Sequence, residues 1–344
     1  MAANSHRLSA AFAAAALAAS FAAVADDARG LLERMERALA SRNYQGTFVH
    51  EHDGQTETLR IIHRAEGGGF AERLVSLDGS GREVIRRDGE LRAYFPDQHA
   101  VLIESDPNAG LLLTGLQSLD SAGQMYRLRE ESRTRISGRE ARVLVVEPQD
   151  DLRYGYRVWI DESSAMPLKT QLQTSAGRVV EQLVFTELSL PTRVADSALQ
   201  PAFSARDFRL LRHGDAAAPA PRQAADTTWD AADLPPGFRL VAHSTRMMGD
   251  NQRTVTHLVF SDGLASVSVF VEPRSRVSDN QTAELAPPTE TRLGSSSAVS
   301  TEVDGHRVTA IGEVPPATVR AIAGSLRPGF APPTRGGAGA GAHR

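Results

Sequence analysis

The residues best suited to chemistry are two histidines and two acids in the run His50-Glu51-His52-Asp53. In a strand His50 and His52 share one face, and two imidazoles with a carboxylate can bind zinc. Asp53, however, opens a hairpin turn with Gly54, and the sequence places no third ligand beside them. We therefore expect solvated polar residues next to a turn, with no metal site.

The other candidate motifs do not predict catalysis. Gly79-Ser80-Gly81 lies in a predicted hairpin and lacks the spaced glycines of a nucleophile elbow. Gly67-Gly68-Gly69 lies between two strands, so it cannot offer a helix N-terminus to phosphate. Adjacent acids such as Asp150-Asp151 are typical of solvated loops. The chain also has no cysteine, which excludes thiolate catalysis and disulfides. We expect a protein without catalytic residues or cofactor.

Basic residues are almost all arginine, and Lys169 is the only lysine. The base composition of the genome explains this excess. Arginine also binds phosphate bidentately, so a phosphorylated glycolipid is a plausible ligand. The candidate contacts to its headgroup are the clustered arginines Arg60, Arg73, Arg86 and Arg92, beside which lies Arg87. The formal net charge of −4 argues against a nucleic-acid partner.

The first 25 residues predict export from the cytoplasm. His6 and Arg7 precede an alanine-rich apolar run from Leu8 to Val24, and Ala23-Val24-Ala25 has the small-x-small pattern of a cleavage site. A membrane anchor is the alternative, but the run is shorter than the roughly 20 residues that a span needs. We expect a signal peptide over 1–25 and a mature periplasmic chain from Asp26.

Residues 26–213 are predicted to form a large, mainly β domain within an α+β chain. An opening helix capped by Asp26 or Asp27 is followed by alternating strands, several joined by Asp-Gly turns, which indicates an antiparallel meander. A leucine-rich helical insertion is expected over 107–123, after which strands resume. A sheet of nine or ten strands accumulates twist and must curl. The prediction is a curved half-barrel with a helical plug.

The concave face of such a sheet can be a filled core or a cavity for an acyl chain. For any one residue, ordinary packing is at least an equal alternative. The predicted wall residues are Phe48, Leu59, Ile61, Leu74, Tyr94, Val145, Trp159, Leu172, Leu183 and Phe185, and the predicted lid residues are Leu112 and Leu116.

The rest of the chain predicts a second, smaller domain. Residues 214–236 are rich in alanine and proline and are expected to form a linker. Residues 237–327 contain five strand patterns and a closing helix that begins at Pro316. Residues 328–344 are rich in proline, glycine and alanine and are expected to be a disordered tail.

Several strings in a fixed order carry a resemblance to a known family. They include Asn43-Tyr44-Gln45-Gly46-Thr47-Phe48, Leu77-Asp78-Gly79, Tyr94-Phe95-Pro96-Asp97, Leu234-Pro235-Pro236-Gly237-Phe238, Asp262-Gly263-Leu264-Ala265 and Gly312-Glu313-Val314-Pro315-Pro316. Together they resemble the MucB/RseB family, periplasmic negative regulators of the extracytoplasmic-stress sigma factor. The resemblance covers residues 28 to 327.

The resemblance implies a large domain similar to periplasmic lipoprotein carriers, joined flexibly to a small one. It implies binding to the periplasmic domain of a transmembrane anti-sigma factor, which is thereby shielded from proteolysis. Lipopolysaccharide or a lipoprotein acyl chain in the large domain would release this partner. Self-association into a homo-oligomer is a further implication.

The sheet of the small domain is the candidate surface for the partner, through a strand added at its edge or through side chains. For most of these side chains, core packing is the alternative. The candidates are Phe238, Leu240, His257, Val259, Phe260, Val267, Val269 and Phe270. Two other functions stay open: a lipid or lipoprotein carrier, which needs only the large domain, and a hydrolase of envelope lipids or glycans.

Overall fold

The computed structural model describes residues 27–67, 69–105, 124–204, 206, 208–213, 228–248, 253–273 and 289–329. The predicted signal peptide, the predicted helical insertion at 107–123 and the tail beyond residue 329 lie outside these ranges. Within them, no helix combines the length and the hydrophobicity that a membrane span needs.

The large domain is built on one sheet of 12 strands, in the spatial order β12-β6-β5-β4-β3-β2-β1-β11-β10-β9-β8-β7. The strands are β1 (Tyr44–His52), β2 (Gln55–Glu66), β3 (Gly69–Ser76), β4 (Glu83–Arg87), β5 (Glu90–Phe95), β6 (Ala100–Ser105), β7 (Tyr126–Ile136), β8 (Arg139–Pro148), β9 (Gly155–Asp161), β10 (Pro167–Gln173), β11 (Val179–Ser189) and β12 (Arg209–His213). All neighbours are antiparallel except β12 and β6, which are parallel. The predicted large curved sheet is thus confirmed, and β6, β7 and β12 add to the strands that the sequence predicts.

A helix over residues 27–41, α1, packs on this sheet. Its buried stripe contains Leu31, Leu32 and Met35, which join one hydrophobic cluster with Ile61 and Phe185 of the sheet. The start of α1 is also held by charge, because Arg142 of β8 donates a hydrogen bond to Asp27 at 2.7 Å. Helix and sheet together enclose the main core of the large domain.

In the middle of the large sheet β1 pairs with β11, and β1 has a bulge between Thr47 and Phe48. Gly46 is next to this bulge. A Cβ atom there would lie 2.6 Å from the Glu187 carbonyl oxygen and 2.6 Å from the ring of Phe185. The absence of a side chain at Gly46 therefore lets the Phe185 ring pack directly against the β1 backbone.

The small domain has a six-stranded antiparallel sheet in the order β14-β15-β16-β19-β18-β17, and a two-stranded sheet of β13 and β20. Its strands are β13 (Thr228–Ala231), β14 (Arg239–Met248), β15 (Arg253–Ser261), β16 (Ser266–Pro273), β17 (Thr289–Leu293), β18 (Ser296–Val303), β19 (His306–Gly312) and β20 (Leu326–Gly329). Helix α2 (Pro316–Ser325) packs on β18 and β19. Val319 and Ile322 of α2 are fully buried in the core of this domain, as their helical spacing predicts.

The small domain is longer at both ends than the sequence indicates. Strand β13 pairs with β20, and Trp229 of β13 is buried in the small core. Residues 228–236, the C-terminal part of the predicted linker, therefore belong to the folded domain, and Pro328 and Gly329 of the predicted tail end its last strand. A four-residue strand is too short to show periodicity. The N-terminal part of the predicted linker, 214–227, lies outside the described residues.

Replacing Gly46 with alanine is expected to lower the free energy of unfolding by about 1–3 kcal/mol, because the new methyl group overpacks against backbone and ring. Urea denaturation measures this change. Gly69→Ala in β3 is the matched control, since its Cβ meets nothing within 4 Å, and a change below about 0.5 kcal/mol is expected there. Equal stability of the two variants would contradict the packing described for β1.

Candidate binding site at the domain junction

Strand register shows which of the predicted wall residues share a face. Seven lie on the same face of the large sheet: Phe48, Leu59, Ile61, Leu74, Leu172, Leu183 and Phe185. Phe48, Ile61 and Phe185 are buried in the cluster that contains α1. An acyl chain would reach these three only if α1 moved. Leu74 and Leu183 are half-buried, whereas Leu112 and Leu116 lie outside the described residues.

Tyr94, Val145 and Trp159 point to the opposite face, which corrects their predicted inward position. Each of the three is next in sequence to a residue that faces inward, and successive side chains of a strand point to opposite faces of the sheet. This outer face is itself covered: Tyr94 packs with Phe203 and Phe208. These strands therefore carry buried apolar residues on both faces, because both sides of the sheet are covered.

The predicted headgroup arginines do not form one site. Arg60, Arg73 and Arg92 lie on the outer face, while Arg86 lies on the inner one. Arg73 pairs with Glu83 at 2.8 Å and Arg92 with Glu90 at 2.5 Å, so two of the three outer charges are balanced within the sheet.

Arg86 is buried and packs over the Phe70 ring, 5.9 Å from its centroid. It is the candidate headgroup residue that faces the concave side.

The predicted partner residues also divide into two groups. Phe238, Phe260, Val267 and Val269 are in the core of the small domain, with at most 6% of their surface exposed. Val259, His257 and Phe270 lie on the other face of the sheet, where the two rings stack with centroids 4.5 Å apart. Leu240 is 45% exposed on the edge strand β14.

The two domains meet at a fully buried arginine that the sequence does not single out. Arg153, in the loop between β8 and β9, donates two hydrogen bonds to Asp150 at 2.8 and 2.9 Å. Its Nη1 donates to Asp262 of the small domain, which is 2% exposed. Its Nη2 donates to the carbonyl oxygen of Pro236 at 2.7 Å. Asp150 is thus an ion-pair partner, and the guanidinium bridges both domains.

Aromatic rings and a close backbone contact complete this bridge. The guanidinium carbon lies 5.7 Å from the ring centroid of Tyr126 and 5.4 Å from that of Phe238. Gly237 has a φ of 82°, and a Cβ there would lie 2.7 Å from Met125 Cγ. The Pro236–Phe238 segment therefore needs glycine at its centre to rest on the large domain.

A second polar chain crosses the junction beside the first. Ser295 donates a hydrogen bond to Glu313 Oε1 at 2.6 Å, and Tyr156 of the large domain donates to Glu313 Oε2 at 3.3 Å. On the large domain, His50 pairs with Glu181 at 2.7 Å. The hydroxyl of Ser295 also interacts with Glu181. Two carboxylates from different domains are therefore neighbours.

These contacts shift the acidity of the groups concerned. Burial opposes ionisation of Glu181, but hydrogen bonds from His50 and Ser295 outweigh it and lower its pKa. The same pairing raises the pKa of His50. Burial raises the pKa of Glu313, and the negative charge of Glu181 adds to that effect. The histidine that the sequence offered for zinc instead pairs with a carboxylate. Among the described residues no group of three ligands could hold a metal.

A cavity of about 290 Å³ lies between the domains at this point. It is called here the junction pocket. Its lining residues are Tyr126, Tyr154, Tyr156 and Leu172 of the large domain and Ser261, Gly263, Leu264, Ala265, Ser266 and Glu313 of the small domain. Leu264 also packs into the core of the large domain. Because both domains supply walls, whatever occupies the pocket contacts both.

The fold and the junction define a two-domain β protein whose small domain is held on a curved 12-stranded sheet by buried polar contacts. The chain belongs to the MucB/RseB family: the model for the MucB/RseB N-terminal domain matches residues 27–203, and that for the C-terminal domain matches residues 223–327.

Relatives and a solved structure agree with this assignment. The sigma factor AlgU regulatory protein MucB of Pseudomonas aeruginosa is 33% identical over 308 residues, which covers 88% of this chain and 92% of the relative. The sigma-E factor regulatory protein RseB of Escherichia coli is 28% identical over 307 residues, covering 88% and 91%. The complex structure of Pseudomonas aeruginosa MucA/MucB contains a chain that is 30% identical, with a TM-score of 0.67 and coverage of 89% and 100%.

Replacing Arg153 with alanine is expected to cost about 3–5 kcal/mol and to uncouple the domains, because buried carboxylates lose their counter-ion. The chain has two tryptophans, and Trp159 lies in the large domain while Trp229 lies in the small one. Fluorescence of variants that keep a single tryptophan therefore follows each domain separately during urea denaturation. We expect coincident transitions in the parent and an earlier small-domain transition in Arg153→Ala.

Arg127→Ala, an exposed arginine of β7, is the control and should leave both transitions unchanged. Coincident transitions at the parent midpoint in Arg153→Ala would show that the ion pair does not hold the domains together.

Proposed function

We propose that this protein acts in the periplasm and binds the periplasmic segment of a membrane-anchored anti-sigma factor. Bound segment is protected from regulated proteolysis. It is released when lipopolysaccharide or a lipoprotein acyl chain occupies the large domain. Membership of the MucB/RseB family supports this proposal, as does the similarity to a MucB chain solved together with MucA.

The observation that carries the proposal is the open edge of the small domain. Among the described strands, β14 pairs only with β15, so its outer backbone groups face outward. Leu240 and Val241 of β14 are 45% and 49% exposed. An exposed strand edge with apolar side chains is a template for an added peptide strand. Val259 and the ring pair of His257 and Phe270, all partly buried, lie next to this edge on the face of the sheet opposite the core.

Release requires a ligand that distinguishes two arrangements of the protein. A lipid lowers partner affinity only if it favours an arrangement that binds the partner poorly. Typical couplings of this kind are about 1–3 kcal/mol. The junction supplies a physical element for such coupling, because its polar contacts join the predicted lipid domain to the predicted partner domain.

A lipid carrier remains the alternative function. A carrier needs only the large domain, and its small domain would be dispensable. The burial of Arg153 against Asp262 favours the regulator, because it makes the position of the small domain part of the stability of the whole chain.

Replacing Leu240 with serine is expected to weaken binding of the anti-sigma periplasmic segment about tenfold, because a central apolar contact is lost. Isothermal titration calorimetry with the purified segment measures the change. Leu77→Ser is the matched control, since Leu77 is 52% exposed on the large domain, and it should bind like the parent. Identical affinities of the two variants would remove β14 from the interface.

Lipopolysaccharide is expected to weaken the same binding by about 5- to 150-fold, and the segment should weaken lipid binding by the same factor. Lipid binding without any effect on the segment would favour the carrier. Absence of segment binding by the parent protein would contradict the proposal.

A further inference from the structure

Among the side chains of the described residues, none provides a positive counter-ion for Glu313, a carboxylate in the junction pocket. Its two hydrogen-bond donors are the neutral hydroxyls of Ser295 and Tyr156. Among the residues that the structure describes, no cation lies within ion-pair distance of it. A carboxylate has about four acceptor positions, so two remain for a further donor.

The other acids around the pocket already have basic side chains as hydrogen-bond partners. Glu181 pairs with His50, and Asp262 pairs with Arg153. Arg292, from the neighbouring strand β17, donates to the hydroxyl of Tyr154 at 3.4 Å and not to Glu313. Glu313 is therefore the acceptor of this junction whose charge is left unbalanced.

The same junction shows what a completed site of this kind contains. Asp262 Oδ2 accepts hydrogen bonds from the hydroxyl of Tyr126 at 3.1 Å and from Arg153, while its Oδ1 accepts from the backbone N–H groups of Leu264 and Ala265. The guanidinium of Arg153 lies against the Tyr126 ring. Glu313 likewise accepts a hydrogen bond from a tyrosine hydroxyl, that of Tyr156, but among the described residues it has no guanidinium partner. The two acids therefore share the tyrosine contact and differ in their cation.

The junction pocket can admit such a cation. Glu313 is solvent-exposed although protein surrounds it on most sides. The volume of about 290 Å³ is at the low end of the roughly 300–1,000 Å³ of small-ligand pockets, so it suits one side chain. Three tyrosines line it, and aromatic rings attract guanidinium and ammonium groups.

We propose that the junction pocket receives an arginine or lysine side chain of the partner polypeptide, with Glu313 as its counter-ion. This inference rests on the proposed function and names the chemistry that the partner must present. Because Glu313 belongs to the small domain and the tyrosines to the large one, the bound cation ties the two domains together. Partner binding and domain arrangement are then linked at one place.

Cation binding competes with a proton on Glu313. Burial and the charge of Glu181 raise the pKa of Glu313, so the carboxylate is lost as the pH falls through that value. His50, which faces the site from β1 and has a raised pKa, also becomes positive at low pH and repels a cation. Tyr156 stays neutral, because burial raises its pKa well above 10. Affinity should therefore rise with pH.

The test is calorimetric titration of the full chain with the anti-sigma periplasmic segment, in versions with each basic residue replaced singly by glutamine. We expect Glu313→Gln to weaken binding about tenfold and to reduce the rise of affinity with pH, with His50 supplying the pH dependence that is left. One basic residue of the segment should lose its effect in the Glu313→Gln background. Glu187→Gln, an exposed acid of β11 outside the pocket, is the matched control and should bind like the parent.

The outcomes separate the two claims. Unfolding followed by Trp229 fluorescence should be the same for Glu313→Gln and the parent, which excludes loss of folding as the cause. If the parent binds the segment and Glu313→Gln binds equally well, the cation site is wrong and the proposed function stands. If the parent does not bind the segment, both are wrong.

Discussion

The docking of the small domain on the large one depends on the buried guanidinium of Arg153. A charge removed from water is costly unless it is paired and hydrogen-bonded. The large domain supplies one carboxylate, Asp150, while the small domain supplies Asp262 and the carbonyl group of Pro236. The small domain therefore cannot move away without leaving buried groups unsatisfied. The position of the junction pocket follows from this docking, because both domains supply its walls.

Much of the fold follows from local chemistry. Asp53, Asp88 and Asp304 all have positive φ, as the Asp-Gly hairpin turns require. Strands with apolar alternation are where their patterns predict. Two of the strands that the sequence did not predict have a different character: β7 carries charges along most of its length, and β12 pairs in parallel with β6, which lies about 100 residues earlier in the chain. Periodicity detects a strand that is buried on one face, and it does not detect a charged edge or a distant pairing.

The site is less visible in the sequence, for a physical reason. Tyr94 and Trp159 are apolar and buried, yet they face away from α1, because alternation cannot say which side of a sheet is concave when both are covered. Arg153 and Asp262 are 109 positions apart, and no spacing rule connects them. The sequence strings that carry the family resemblance do include residues of this site, namely Pro236, Gly237 and Asp262. What those strings could not reveal was the cation that these residues enclose.

The central claim is that the junction reports lipid occupancy to the partner surface, and the distance between the domains tests it most directly. The chain has no cysteine, so Glu187→Cys in the large domain and Arg307→Cys in the small one give two unique, exposed spin-label sites. Double electron–electron resonance should show one narrow distance distribution in the free protein and a second distance after lipopolysaccharide is added. The anti-sigma segment should restore the first distance. One unchanged distribution in the presence of saturating lipid would contradict the account.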